Sequence, residues 1–546
     1  MSKPTRYTQE TINEYVTKKL WRTETTSMVF DRNAGEHPHE VAVEDSKTSV
    51  TWLEAKHWID RVAAGLIEAG IQRDEMLAIQ LPNCVELYLF RAATEKAGVL
   101  CLPVLRNMRR REMEYILNKT KATGIVIPWK IGDFDYWEMV QGMRSEVPTL
   151  KHIFVAWDEV PEGALSVNKM AADPGLEKKY SASLIEERRF KVTEVSLINL
   201  TTGTTGFPKF VEYPICARLA TGSAFIDAFK FTPKDVIGAL APAAGGPNIP
   251  VYYAAPQVPC KVIMLEKFTP EDAFRMIEKK RITVPCVVPA QLALMVQHPS
   301  LKNYDLSSIR AWFSCGAPMA YDLGVQVEEK IGGIVMNAYG ALDFGSCMLH
   351  DLTDSREVRF LTAGKPRVGT VLKIVDDNGK EVPKGEVGEL IGCGPTCASG
   401  YYGDLQSTRE VWGEDGCYRT GDLARIDEQG NVVIAGRKKD MIIRGGQNIY
   451  PVEIENLLVT HPAVQNVAVV GYPEPVMGER ACAFVILKPG RFFSFDEMVS
   501  FLREKDIAPF KLPESLEVVD KFPMAGDGQK VDKKALQKAL IARMAK

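Results

Sequence analysis

Apolar runs and segments of helical period alternate along most of this chain. The run MLAIQLP (76–82) predicts a buried strand, and CVELYLFRAATEKAG (84–98) predicts an amphipathic helix. The strand VLCLPV (99–104), the helix MRRREMEYILNKTKA (108–122) and the strand GIVIP (124–128) continue the alternation. It resumes with the strands HIFVAW (152–157), VSLINLT (195–201), VIGALAP (236–242) and KVIMLE (261–266). The helix TPEDAFRMIEKKR (269–281) and the strands TVPCVVP (283–289) and IRAWFSCG (309–316) follow. Strands that are apolar on both faces need cover on both faces, so this order predicts parallel sheets coated by helices.

Beyond about residue 365 the period shortens. VLKIVDDNGKEV (371–382) carries an Asn-Gly turn and LARIDEQGNVVIAG (423–436) a Gly-Asn turn, so both predict hairpins within a β-rich subdomain over about 365–435. The last hundred residues mix helices, at PVEIENLLVTH (451–461) and FDEMVSFLREK (495–505), with strands at AVQNVAVVGYP (463–473) and ACAFVILKP (481–489). They predict a compact α+β unit. The basic turn GRKKD (436–440) is the expected boundary, giving an N-terminal unit 1–438 and a C-terminal unit 439–546.

Composition narrows the class. The chain has 546 residues, 46% hydrophobic and 25% charged, with 67 Lys+Arg against 70 Asp+Glu for a net charge of −3. That balance argues against a nucleic-acid or anionic-membrane partner, which would select a basic surface. No stretch of about 18 apolar residues is present to span a bilayer, and the first residues lack the apolar core of a secretory signal. The 11 cysteines are odd in number and mostly sit in apolar strings, which fits a reduced, cytoplasmic protein. Cys393 and Cys397 have no second pair nearby to complete a zinc site, and His37 and His39 read as loop residues.

The densest chemistry lies in Leu200-Thr-Thr-Gly-Thr-Thr-Gly-Phe-Pro-Lys209, between a strand and a segment expected to be helical. Glycines that admit positive φ let successive backbone N–H groups converge on an anion. Hydroxyls add donors and Lys209 adds a point charge, so the string predicts a phosphate cradle, although it is not a Walker A loop.

This string resembles that of the adenylate-forming superfamily: acyl- and aryl-CoA synthetases, peptide-synthetase adenylation domains and luciferases. Further motifs follow in the family's order. Ser314-Cys-Gly-Ala-Pro318 is similar to the element lying along the adenine, and Asn337-Ala-Tyr-Gly-Ala-Leu-Asp343 to the element that stacks the base and binds the metal. Gly388-Glu-Leu390 and Gly400-Tyr-Tyr402 resemble a further structural motif, Tyr418-Arg-Thr-Gly-Asp422 the ribose site, and Gly436-Arg-Lys-Lys-Asp440 the hinge. Arg444-Gly-Gly446 and Phe522-to-Leu536 resemble the two C-terminal motifs, the second containing Lys530.

The resemblance implies an α/β fold: a large N-terminal body of two helix-covered sheets plus a distorted β-barrel, with a small mobile α+β C-terminal domain. It implies ATP or AMP binding by Thr201, Thr202, Gly203, Thr204, Thr205, Gly206, Lys209, Gly316, Ala317, Pro318, Asn337, Ala338, Tyr339, Leu342, Asp422 and Arg437. Asp343 and Thr205 are the implied Mg²⁺ ligands, Lys530 the adenylation lysine, Lys439 the hinge, and Arg444, Gly445 and Gly446 the coenzyme A contacts.

The chain departs from the pattern at Asp343 (Glu is usual), Leu342 (Thr), Phe210 (Gly) and Gln529 (Gly), and has one extra residue between Pro523 and Lys530. An acid pocket is expected at Ala243, Gly245, Gly246, Gly316 and Gly340, where many relatives carry aromatic or His-Asn side chains near Ala244. Small walls favour a compact, bulky acid. The expected activity is carboxylate:CoA ligation, reversible in principle, on an alicyclic or aromatic acid such as cyclohex-1-ene-1-carboxylate or a benzoate-like acid. The alternatives are a stand-alone enzyme loading an aryl acid onto a carrier protein, and a medium-chain fatty acid CoA ligase. The oligomeric state is open between monomer and homodimer.

Overall fold

The computed structural model describes residues 3–157, 160–201, 208–243, 246–317, 319–413, 415–444, 447–524 and 531–544. Two large sheets form the body. The first has eight strands, with Met76–Ile79, Leu100–Pro103, Gly124–Pro128 and His152–Ala156 parallel at its centre. The second has seven, ordered from Ile334–Ala338 through Ala311–Cys315, Val284–Val287, Val236–Ala239 and Lys261–Met264 to Val41–Glu44 and the antiparallel edge Ser49–Thr51. All residues of Met76–Ile79 and Gly124–Pro128 are buried, as strands covered on both faces must be.

The helix Val85–Ala97 differs from its expected amphipathic character. It is buried on every side, including Glu86, Thr94, Glu95 and Lys96, because it lies against strands of both sheets. Lys96 pairs there with Asp31 at 2.9 Å and with Asp60. A second correction concerns the Thr/Gly segment. It is followed by the strand Phe210–Pro214, which pairs antiparallel with Val195–Leu200, and only then by the helix Ile215–Phe229. Phe210, Val211 and Tyr213 favour the pleated conformation and are buried in it, so the chain after Lys209 begins a strand rather than a helix.

The β-rich part of the body is a four-stranded antiparallel sheet: Val371–Val375, Gly388–Cys393, Tyr418–Ile426 and Val432–Arg437. The hairpin at 423–436 forms as expected, with Gly430 at φ +87° in its turn. The one at 371–382 shrinks to a single bridge, Val375 to Glu381, because Val371–Val375 takes Gly388–Cys393 as its long partner. Cys397 Sγ lies 3.7 Å from Cys347 Sγ, whereas Cys393 pairs with Cys417, so the two cysteines of the C-x-x-x-C face different partners.

The C-terminal unit is a five-stranded sheet built on the long hairpin Val464–Glu474 and Gly478–Leu487. Ile454, Leu458, Val469 and Leu502 fill one of its cores, and Val470, Phe484, Leu536 and Leu540 another; neither is shared with the body.

An N-terminal arm that hydrophobic pattern does not reveal ties the body together. Thr5 donates to the Glu212 carboxylate (2.9 Å), the Arg6 guanidinium to the Ala398 carbonyl (2.6 Å), and the Trp21 indole to the Pro395 carbonyl (2.8 Å).

Candidate active site

In open parallel sheets, ligands gather at the carboxyl ends of the strands. Ala311–Cys315 and Ile334–Ala338 are parallel neighbours with Ser314 opposite Asn337 and Cys315 opposite Ala338. Their ends therefore deliver Gly316-Ala317 and residues 339–343 side by side. Gly316 sits at φ +97°, a conformation that side chains resist.

Val236–Ala239 ends at the same edge and runs on into residues 240–249. Two buried amides pin that segment: Asn83 donates to the Ala241 carbonyl (2.7 Å) and Asn248 to the Ala241 and Pro242 carbonyls (3.1 and 3.2 Å). Sequence reasoning missed both asparagines, although their place beside Pro and Gly is a signal that could have been used. A Cβ on Gly246 would have the Cys315 sulfur, at 4.0 Å, as its nearest neighbour, and one on Gly340 would meet the Gly345 carbonyl at 3.5 Å. The expected pocket residues Ala243, Gly246, Gly316 and Gly340 thus lie on loops leaving one sheet edge.

Asp422 and Arg437 face each other across paired strands, and their side chains form an ion pair at 3.2 Å. The other oxygen of Asp422 accepts the Tyr339 hydroxyl at 2.5 Å. Asp422 is 6% exposed. Burial, and then the nearby Asp422 carboxylate, push the Tyr339 phenol well above its ordinary range. Three residues from separate motifs therefore make one hydrogen-bonded unit.

Asp343 is only 8% exposed. The Tyr418 hydroxyl donates to its Oδ2 at 3.2 Å, and its Oδ1 is buried with no partner among the described residues. Burial pushes its carboxyl up; the hydroxyls of Tyr401 and Tyr418 and the charge of Lys209 oppose that shift. The Lys209 ammonium lies over the Tyr401 ring at 4.5 Å. Tyr401 and Tyr418 are functional candidates that sequence reasoning quoted within motifs without giving them a role. Tyr213, also overlooked, donates its hydroxyl to the Leu342 carbonyl and so fixes the backbone beside Asp343.

The remaining expected residues are placed as follows. Thr201 and Lys209 close the neck of the Thr/Gly loop: the Thr201 N–H donates to the Lys209 carbonyl and the Lys209 N–H to Thr201 Oγ1, both at 3.0 Å. Asn337 Oδ1 is buried without a partner among the described residues. Lys439 lies two residues after Arg437, and burial, then the charge of Arg437, lower its pKa. Arg444 is committed within the C-terminal unit, donating from Nε to Glu514 Oε1 at 2.5 Å. Thr202, Gly203, Thr204, Thr205, Gly206, Gly245, Pro318, Gly445, Gly446 and Lys530 lie outside the described residues.

The buried Asp343 yields a stability prediction. Its folded pKa is raised, so the native state holds the proton more tightly than the unfolded chain. The resulting penalty is absent below the unfolded pKa and grows as pH rises towards the folded value. Asp343→Asn, which keeps the shape without the charge, should raise the Tm of the nucleotide-free protein by about 1–2 °C at pH 8. The gain should be smaller at pH 5. Calorimetric melts at the two pH values check this, and a lower Tm for the variant at pH 8 contradicts it.

Residues 30–402 match the AMP-binding enzyme family and residues 453–529 match the AMP-binding enzyme C-terminal domain. The chain belongs to the AMP-binding enzyme family, and it is an ATP-using, AMP-forming acid ligase. It is 29% identical over 547 residues to the 2,3-dihydroxybenzoate-AMP ligase of Bacillus subtilis (strain 168), covering 99% of this chain and 98% of that protein. It is also 29% identical to the medium-chain fatty-acid–CoA ligase of Escherichia coli (strain K12), over 97% of this chain and 93% of that one. Among solved structures, ATP-bound MatB from Rhodopseudomonas palustris superposes with a TM-score of 0.81 at 25% identity, over 94% of this chain and 99% of the other. No helix among the described residues is long and apolar enough to cross a membrane.

Proposed function

We propose that the enzyme condenses a compact cyclic or aromatic carboxylic acid with ATP to an acyl-adenylate, then transfers the acyl group to coenzyme A. The observation that supports the acid class is the set of small residues Ala243, Gly246, Gly316 and Gly340 brought together where neighbouring strands end, since small walls favour a compact, bulky acid.

In the first step a carboxylate oxygen attacks the α-phosphorus, the bond to the β-phosphate oxygen breaks, and pyrophosphate leaves. Two anions must meet, so cations have to offset their repulsion. Lys209 at the neck of the loop and Lys530 supply that charge, while Asp422 takes the ribose hydroxyls with Arg437 beside it. The unpartnered Oδ1 of Asp343 is a hard oxygen donor that suits Mg²⁺, which Asp343 and Thr205 would hold and which, when bound, neutralises phosphate charge. In the second step the coenzyme A sulfur, having lost its proton, attacks the acyl carbon and AMP leaves.

The C-terminal unit, 439–546, has cores of its own, which supports its turning as a body about Lys439 between the two steps. The Arg444–Glu514 pair favours Gly445 and Gly446 over Arg444 as the coenzyme A contacts.

The test is exchange of labelled pyrophosphate into ATP with a panel of cyclic, aromatic and linear acids, followed by AMP release with coenzyme A alone. Exchange that depends on cyclic acids, with AMP release on adding coenzyme A, is the expected result. Exchange without release points to carrier-protein loading, and preference for linear acids of medium length points to a fatty acid ligase. Gly246→Leu should raise KM for cyclohexanecarboxylate about tenfold or more, as expected for filling an apolar pocket. KM for acetate should change by less than about twofold, because acetate never reaches the added atoms. Parallel shifts for both acids would count against the pocket.

A further inference from the structure

Buried cations in this protein are normally paired. Lys96 has Asp31 and Asp60, and Arg359 has Glu328. Arg218 breaks that rule, and the half-buried Arg91 beside the same tyrosines also has no carboxylate partner among the described residues. Arg218, on the helix Ile215–Phe229, is 2% exposed and makes no hydrogen bond or ion pair among the described residues. Its Nε and Nη2 are buried and unpartnered, and its guanidinium rests on the Tyr213 ring at 3.2 Å and lies 5.6 Å from the Tyr253 ring. Arg91, on the helix Val85–Ala97, donates to the Tyr253 hydroxyl at 3.0 Å and lies over the Tyr252 ring at 3.7 Å, with Nε unpartnered. No carboxylate pairs with either among the described residues.

The location links them to the acid site. Tyr252 and Tyr253 belong to a π-helical turn, Pro250–Ala254, that directly follows residues 240–249. Such turns recur at functional sites. Gly222 clamps this one against the helix of Arg218: a Cβ there would fall 2.0 Å from the Tyr253 carbonyl oxygen. On its other side the Arg218 guanidinium covers Tyr213, whose hydroxyl reaches the Leu342 carbonyl in the nucleotide segment.

A small cavity beside the turn is lined by Phe30, Tyr88, Arg91, Glu95, Tyr252 and Tyr253. The hydroxyls of Tyr88 and Tyr252 have no partner among the described residues. Glu95, the carboxylate on this cavity, is engaged elsewhere, accepting the backbone N–H of Ser27 at 2.7 Å and of Thr26 at 3.3 Å.

A guanidinium cannot shed its proton, so burial cannot neutralise Arg218 as it could a lysine. Contacts with tyrosine faces recover part of the lost hydration and leave the hydrogen-bonding edge unused. That edge has the planar two-pronged shape that matches a carboxylate. We infer that the activated acid carries a second carboxylate, bound by Arg218 with Tyr253 and Arg91 behind it, so that cyclic dicarboxylic acids are preferred to monoacids. The inference rests on the acid-activating reading of the neighbouring site and narrows its substrate class.

The experiment measures Tm shifts of the full-length, nucleotide-free enzyme with isophthalate, benzoate or inorganic phosphate, in wild type, Arg218→Met and Arg218→Lys. The expected result is a clear rise with isophthalate, a smaller one with benzoate and none with phosphate. Arg218→Met should bring the isophthalate shift down to the benzoate shift or below, and Arg218→Lys should retain part of it. In turnover, wild-type kcat/KM should favour isophthalate over benzoate by at least about tenfold, and Arg218→Met should abolish the preference.

Equal isophthalate and benzoate shifts in wild type, an equal shift with phosphate, or an isophthalate shift that survives Arg218→Met would each overturn the inference. The wild-type comparison decides alone if Arg218→Met does not fold. Isophthalate binding that needs Arg218, together with no pyrophosphate exchange for any acid, would instead overturn the proposed reaction and uphold the subsite.

Discussion

Lys530→Ala should lower adenylate formation about a thousandfold while leaving thioester formation from a supplied acyl-adenylate within about threefold. The reason is electrostatic. Carboxylate and α-phosphate must approach within bonding distance, and a unit charge about 4 Å away in surroundings of effective dielectric about 20 contributes about 4 kcal/mol, which is about three decades in rate. The second half-reaction has no such encounter of anions, since a thiolate attacks an activated acyl carbon and AMP departs.

The loop that carries Lys530 is closed at its base: Met524 and Val531 form a bridge, and the Asp532 N–H donates to the Pro523 carbonyl at 2.8 Å. Alanine at position 530 leaves that closure intact, so the variant should fold. Rapid-quench measurement of adenylate formation, beside steady-state turnover of synthetic acyl-adenylate with coenzyme A, separates the two steps. Equal loss in both would remove Lys530 from the adenylation role.

The second large effect is expected at Asp422. On its proposed role as ribose acceptor, Asp422→Ala should lower kcat/KM for ATP by about two to three decades, mostly through KM, since each hydrogen bond to a charged group contributes about 1.5–3 kcal/mol and two such bonds would be lost. The structure adds a further cost. The carboxylate also holds the Tyr339 hydroxyl at 2.5 Å and the Arg437 guanidinium at 3.2 Å, so its removal frees both side chains. Initial rates over a range of ATP concentrations at saturating acid test this, and an unchanged KM for ATP would exclude Asp422 from the nucleotide site. Asp422→Asn should lose less, because an amide still offers one acceptor oxygen.

Much of the framework was legible from patterning. The strands Met76–Ile79, Gly124–Pro128 and Ala311–Cys315 lie inside the runs that predicted them, because a strand covered on both faces has no polar position to conceal it. The helix Val85–Ala97 was legible as a helix but not as a buried one, since Glu86, Glu95 and Lys96 look like a solvent face until Asp31 and Asp60 arrive from elsewhere. The turn after Lys209 was misread because strand and helix begin alike in a short apolar stretch. What settles it is the ladder between Phe210–Pro214 and Val195–Leu200. In the site, the motifs marked Tyr339, Asp343, Asp422 and Arg437 one by one. Tyr213, Tyr401 and Tyr418 carried no assigned role because their work is to orient Asp343 or the backbone beside it, and Asn83 and Asn248 escaped notice because they act on the backbone at Ala241.

The sequence by itself determined the alternation that builds the two sheets and the change of period near residue 365, and its short motifs stand in the order of the family they resemble. Those are local properties, set by side-chain period and by residues a few positions apart. Only the tertiary structure decided that Tyr339, Asp422 and Arg437 form one hydrogen-bonded unit, that Asp343 is buried among tyrosines, and that Arg218 and Arg91 lack a carboxylate among the described residues. Pairing and desolvation depend on which distant segments meet, and composition is silent on that: a chain of net charge −3 has acids in plenty, yet none of those described is placed where Arg218 could use it.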